Sequence, residues 1–201
     1  MQRRKVLLAG FCASATFVAH AQEPAFFLVA FSPDHAWQLW ADTALRLLEV
    51  RHASGAVKRS YPWPTLAQGL GDGTLHSPLL ARLYLQRRSF VIGFGGCSEL
   101  WEISVDPDAE PIWDGLVHDY RNKEAISRPG YLGVRRTVLD EPLDDWYMDG
   151  QSPYAMGQSL DGKAQVLVIH LDIRRKIGSF NSRAEALAAL PRASFRNPPP
   201  D

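Results

Sequence analysis

The sequence predicts an all-β protein: a partial β-propeller of about three four-stranded antiparallel blades, with a short C-terminal helix and a disordered tail. Three observations predict it. Between residues 25 and 180 there is no helical pattern of useful length, only short β-rich runs broken by Gly, Pro and Asp. Within those runs one unit recurs three times: an aromatic-rich strand, a turn, and a second strand ending in an acidic or polar turn. The units are spaced by about 50–65 residues, which suits four-stranded blades with long connections. An ordinary β-sandwich with accidental internal similarity is the alternative.

Composition sets the outer bounds. The 201 residues are 46% hydrophobic and 22% charged, as in soluble globular proteins, which excludes wholesale disorder and collagen-like repeats. Lys+Arg 22 balances Asp+Glu 22, so there is no electrostatic footprint for nucleic acid.

Residues 1–21 read as a secretory signal, the alternative being a buried N-terminal strand or helix. Arg3, Arg4 and Lys5 form a positive start, and Val6 to Val18 is an uncharged run too short to span a bilayer. Ala19-His20-Ala21 has the small–x–small form of a cleavage site, leaving Gln22 as the new N-terminus. Export therefore predicts a periplasmic protein with no transmembrane anchor. Cleavage removes three of the 22 basic residues and leaves a net charge of −3. It also removes Cys12, so Cys97 is left without a disulfide partner and reads as a small buried hydrophobe.

The blades are expected over residues 22–180. Ala25–Phe31 ends at Ser32-Pro33-Asp34, Ala36–Trp40 is aromatic-rich, and Leu45–Val50 ends at Ala53-Ser54-Gly55. The second unit runs from Ser89-Phe90-Val91-Ile92 to Leu100-Trp101-Glu102-Ile103. The third runs from Pro153-Tyr154-Ala155-Met156 to Val166–Ile169, with Leu160-Asp161-Gly162-Lys163 as a longer hairpin turn. On this alignment Trp37, Phe90 and Tyr154 are equivalent. Gly93-Phe94-Gly95-Gly96 reads as a tight turn. Residues 181–201 form the tail: Ser182-x-x-Glu185 is a capping box, Pro191 ends the helix it starts, and Pro198-Pro199-Pro200 is extended. Closed propellers have 4–8 blades, so three leave open edges: either the chain oligomerises, a second copy covering them, or it is a fragment of a larger architecture.

Residues bearing chemistry are few. His118-Asp119 is not a dyad, because successive strand residues point to opposite faces. His118 could ligate iron and Arg121 could pair with a carboxylate; the plainer reading is a loop histidine and an exposed arginine. Asp140, Glu141, Asp144, Asp145 and Asp149 do not match the EF-hand spacing and read as a solvated turn partly neutralised by Arg135 and Arg136. The histidines show no metal-ligand spacing, and no nucleophile elbow, P-loop or His-Glu-x-x-His is present.

From Arg87 to Ile177 several motifs stand in order. They are Arg87-Arg88-Ser89-Phe90-Val91, Glu99-Leu100-Trp101-Glu102-Ile103 and Asp114-Gly115-Leu116-Val117-His118-Asp119-Tyr120-Arg121. Arg135-Arg136-Thr137, Leu139-Asp140-Glu141-Pro142-Leu143-Asp144-Asp145 and Leu171-Asp172-Ile173-Arg174-Arg175-Lys176 follow. Together they resemble the NirF-type proteins of heme d1 biosynthesis, a branch of the cytochrome d1 heme domain family that serves denitrification. The resemblance implies a periplasmic propeller of eight blades, of which this chain holds about three, and a bound heme d1 or precursor tetrapyrrole. It implies other heme d1 biosynthesis proteins as partners. It makes His118, Arg121, Arg135 and Arg136 the candidate tetrapyrrole contacts, with no separate metal site. Leu85 and Leu139 fall where the related nitrite reductases place distal histidines, which implies binding or biosynthesis and not nitrite reduction. A shortened, non-catalytic paralogue acting as a partner-binding module is the alternative.

N-terminal sequencing of the exported protein is expected to begin at Gln22; a soluble product retaining Met1 would refute the leader.

Overall fold

The computed structural model describes residues 26–64, 78–113 and 127–190. It is built from thirteen strands and one helix. The first blade is β1 (Phe26–Phe31), β2 (Trp37–Asp42), β3 (Leu47–His52) and β4 (Val57–Pro62), antiparallel and in sequence order. Alternation along these strands turns Leu39, Ala41, Leu48 and Val50 to one face, and all four are fully buried.

A seven-stranded sheet holds the second and third blades. Its strands are β5 (Pro78–Tyr84), β6 (Ser89–Phe94), β7 (Cys97–Ser104), β10 (Val134–Tyr147), β11 (Tyr154–Ser159), β12 (Val166–His170) and β13 (Arg175–Phe180). The strand common to both blades is β10. Val134 to Val138 pair with β7 and close the second blade, whereas Leu143 to Tyr147 pair with β11 and open the third. Pro142 lies in the irregular stretch between. It has no N–H to give a ladder, so the register shifts there, and Leu143 beyond it pairs with both Cys97 of β7 and Ser159 of β11. β8 (Ile112–Trp113) and β9 (Ser127–Arg128) form a small ribbon beside the second blade.

The blades stack face to face. Leu39, Val50 and Tyr61 of the first meet Phe90, Ile92 and Ile103 of the second in one core. A second core joins Val91 and Leu100 to Leu143, Trp146, Leu167 and Ile169 of the third blade. The carbonyl of Leu132 accepts from Tyr61 Oη at 2.7 Å and Arg59 Nη1 at 3.0 Å, which ties the first blade's outermost strand to the second.

Equivalent hydrogen bonds define the repeat. Ala53 N donates to Ala36 O, Val105 N to Arg88 O and Leu171 N to Pro153 O, at 2.8–2.9 Å. The residues that follow these carbonyls, Trp37, Ser89 and Tyr154, are therefore equivalent. Phe90 is one position out of register, and its ring turns inward to the first core at 0% exposure. Trp37 and Tyr154 instead meet His52 and His170 edge-on across the strands. The Leu160-to-Lys163 segment does form the longer turn, with Gly162 at φ +84°.

The tail is not separate from the blades. In α1 (Arg183–Ala189) Ser182 Oγ accepts from Glu185 N at 3.1 Å, the first half of the capping box, and the Glu185 carboxylate accepts from the amide one residue before the cap, Asn181 N, at 2.9 Å. Ala186 and Leu190 then pack with Met156, Val166 and Val168, on the face of the third blade where a further blade would lie. Residues 1–25 and 191–201, holding the expected leader and Pro-rich end, lie outside the described residues.

Of the Gly-rich segment, only Gly95 and Gly96 form the turn. Gly93 lies in β6 for a different reason: a methyl there would sit 2.6 Å from Trp146 Cγ. Gly93→Ala is expected to cost about 1–3 kcal/mol by overpacking this buried site. The midpoint of urea unfolding measures it; an unchanged midpoint would show that Trp146 yields freely.

Candidate functional site

Ser89, Glu102 and Arg135 come together on the face of the second blade that looks toward the third. Strand alternation puts them there, since Val91, Glu102 and Arg135 share one cross-strand row. With Arg87, Trp113 and Arg174 they line a cleft of about 510 Å³. At its base the Glu102 carboxylate lies 3.6 Å from Arg87 Nη1 and 3.4 Å from Arg135 Nη1. Arg87 reaches on to Asp172 of the third blade at 2.6 Å, and Arg135 Nη2 donates to the Asp172 carbonyl at 3.0 Å. These bonds clamp the two blades together. Tyr84 packs nearby, its hydroxyl donating to Gln86 at 2.9 Å; burial pushes its phenol pKa up to about 12.

Of the expected site residues, the two that the structure describes, Arg135 and Arg136, do not converge. Arg135 and Arg136 are neighbours on β10 and so point to opposite faces. Arg136 pairs with Glu99 beside Trp101, on the side facing the first blade. Arg135 pairs with Glu102 and Arg136 with Glu99, both on β7. The acidic stretch is not a turn, for Asp140, Glu141, Asp144 and Asp145 all belong to β10. Glu141 accepts from Ser159 Oγ at 2.6 Å and meets Lys176 at 3.3 Å, while Asp145 pairs with Arg183 of α1 at 2.6 Å. Asp149 alone is in a turn, where it accepts from the Gln151 and Ser152 amides. His118 and Arg121 lie outside the described residues, in the segment that leaves at Trp113 and returns at Ser127. Leu85 is 45% exposed on a single 3-10 turn, and Leu139 is in the core between the second and third blades. Cys97 is buried and burial raises its thiol pKa, so it is the inert hydrophobe its isolation implied.

Sequence reasoning missed Trp113 and Arg174. Trp113 is 56% exposed at the cleft wall. Arg174 sits in the left-handed region at φ +52°, where the corresponding hairpin of the first blade has Gly55 at φ +82°. Its guanidinium lines the cleft and acts electrostatically on Glu102. A non-glycine residue held in that conformation costs about 1 kcal/mol, and Arg174 shares it with six other described residues, Arg46 and Arg88 among them. Among the described residues, no group of His, Cys, Asp and Glu could hold a metal ion.

No family model matches the chain, and no curated protein does. Among solved structures it is similar to the dihydro-heme d1 dehydrogenase NirN in complex with DHE, with 22% identity and a TM-score of 0.52. The likeness covers 77% of this chain and 28% of that one, so the chain spans a little over a quarter of its neighbour's length. At this identity the likeness shows the fold: antiparallel blades of a propeller.

Burial raises the Glu102 carboxyl above its ordinary 4.5, against the pull of Arg87. A carboxyl with a raised folded-state pKa binds its proton more tightly in the folded chain. Its stabilising contribution is complete below pH 4.5 and is lost as pH rises through the folded value. The unfolding free energy of wild type minus that of Glu102→Gln should therefore fall as pH increases from about 4.5. A difference that is flat, or that grows with pH, would contradict the buried placement.

Proposed function

We propose that the protein is a heme d1-related propeller protein of the NirF biosynthetic type, which binds a heme d1-like tetrapyrrole intermediate in the periplasm. One observation carries the reading: its blades share their fold with a protein solved with DHE bound. The signal-like N-terminus supports the periplasmic location, and no described helix is long and apolar enough to cross a membrane. Leucine at residues 85 and 139 supports binding or biosynthesis over nitrite reduction, since leucine has no proton to give.

The cleft fits the edge of such a ring in two respects. Trp113 offers an exposed aromatic face for a planar ligand, and Arg174 offers a guanidinium in the cleft lining that a carboxylate could meet. Arg135 supports the wall from below, committed to Glu102 and Asp172. Arg136, on the opposite face, is not part of this site. His118 and Arg121 complete the proposal from the segment between β8 and β9. When bound, the tetrapyrrole supplies its own chemistry; the chain's residues hold its carboxylates and shield its face.

A second reading has its own support. Arg135 and Arg136 are both paired within the fold, and α1 covers the third blade where propeller closure would continue. On that reading the chain is a non-catalytic, partner-binding sector of a propeller.

Titration of the mature protein with heme d1, or heme in its place, separates the two. A Soret shift is expected. Loss of one charge-assisted bond, about 1.5–3 kcal/mol, should weaken binding by about 10–150-fold in Arg174→Gly and Arg121→Ala. Arg136→Ala should bind as wild type. Arg174→Gly also relieves the left-handed strain, so the variant is expected to lose ligand while keeping or gaining stability. No spectral change in a well-folded protein leaves the partner-binding reading.

A further inference from the structure

We infer that His170 is a pH-sensitive clasp: its neutral imidazole fixes the turn that clamps the third blade to the second, and protonation releases that turn and loosens the cleft. This is independent of any tetrapyrrole, because every contact it uses lies within the chain.

One position recurs at the end of the same strand in each blade. His52 closes β3, Ser104 closes β7 and His170 closes β12. The residue after each, Ala53, Val105 or Leu171, makes the hydrogen bond that is equivalent in the three blades. At all three positions the side chain accepts from the backbone amide two residues on. His52 Nδ1 accepts from Ser54 N at 3.4 Å, Ser104 Oγ from Asp106 N at 3.1 Å and His170 Nδ1 from Asp172 N at 3.2 Å. A side chain in this role satisfies an amide that has left the ladder.

Two of the three acceptors are imidazole nitrogens. Nδ1 accepts only while the ring is neutral, since both ring nitrogens of the cation are donors. A hydroxyl keeps its lone pairs throughout, so the turn of the second blade has no such sensitivity. Imidazole is the side chain whose charge changes between pH 5 and 8. His170 is half-buried, so protons reach it from solvent.

The turn after His170 carries the inter-blade clamp. The Asp172 carboxylate meets Arg87 at 2.6 Å, and its carbonyl accepts from Arg135 at 3.0 Å, both arginines belonging to the second blade. Arg174, two residues on, lines the cleft. Loss of the acceptor for the Asp172 amide therefore frees the residue on which both arginines close. A cation at residue 170 also competes with Arg87 for the Asp172 carboxylate. The titratable and charged groups around the ring are Tyr154, edge-on from β11 at 4.9 Å, Arg175 opposite on β13, and Asp172 on the turn itself. Beyond Asp172 lie Arg87, Arg135 and Glu102, and Glu102 is the other group of the clamp that gains a proton as pH falls.

Backbone amide exchange of the mature protein between pH 5 and 8, divided by the intrinsic exchange rate at each pH, reads the turn directly. Protection of the Asp172 amide should fall about tenfold from pH 8 to pH 5, the loss of one ordinary hydrogen bond, and Ser54 should follow. Asp106, held by a hydroxyl, should not change. His170→Ser places the second blade's own acceptor at this position. Asp172 should then stay protected and lose its pH dependence, while Ser54 still responds. Spin labels at Leu85→Cys and Ile173→Cys, both exposed positions, report the clamp. Their distance should be narrow at pH 8 and broaden at pH 5 in the wild-type background, but not with His170→Ser, which leaves Glu102 in place. Asp172 protection that is flat with pH, an Asp106 amide that falls alongside it, or broadening that persists in His170→Ser would each overturn the inference, as would labels that do not respond to pH.

Discussion

Trp146 occupies a slot that exists because two neighbouring strands carry glycine where it passes. Methyl groups at Gly93 and Gly157 would lie 2.6 Å and 3.2 Å from its ring atoms, one in the second blade and one in the third. The indole N–H donates to the Phe94 carbonyl at 3.2 Å, so burial leaves no donor orphaned. Other features depend on this placement. Trp146 stands on the half of β10 that belongs to the third blade, and its ring fixes how far that half turns away from the second. Pro142 lies where the β7 ladder shifts register, and Trp146 anchors the strand beyond it. A single 14-residue strand thereby serves as the last strand of one blade and the first of another.

The cleft is a consequence of the same geometry. Blades that fan apart from a shared strand leave a wedge where their faces diverge, and charged residues fill its mouth. Glu102 is buried with its charge, which is unfavourable unless partners are fixed nearby. Arg87 and Arg135 supply them, and Asp172 draws both toward the third blade. An arginine in the right sequence motif can thus be committed to holding the fold. Arg174, on the tight hairpin after Asp172, is held in a strained backbone with its head group at the cleft rim.

The two ends of the arc are finished differently. At the third blade α1 lays Ala186 and Leu190 over Val166 and Val168, so a helix takes the part of a missing neighbour. It is held by its Ser182 cap and by Arg183 on Asp145, one of the acidic residues of β10. On the first blade's outer rows Leu28, Phe31 and Val57 stand beside Gln38, Glu49 and Arg51, and Glu49 and Arg51 pair with each other within the sheet.

The sequence by itself determined the strands, the hairpin turns and the helix cap, because each depends on neighbours a few residues away. Alternation, Gly and Asp at turns, and Ser182 with Glu185 act locally and are visible in a linear reading. It also determined that Arg135 and Arg136 face opposite ways once they lie on a strand, although their adjacency in a basic motif suggested one site. Only the tertiary structure decided which partner each charge takes. Glu102 and Asp172 reach the same arginines from two blades, and Arg183 reaches Asp145 across 38 residues. Register was likewise decided in three dimensions: counting from aromatic to Glu aligned Phe90 with Trp37, but the hydrogen bonds align Ser89. Gly93 read as part of a turn because a turn is a local event. Its real constraint is a tryptophan more than fifty residues away, and long-range packing of that kind leaves no periodic mark on the chain.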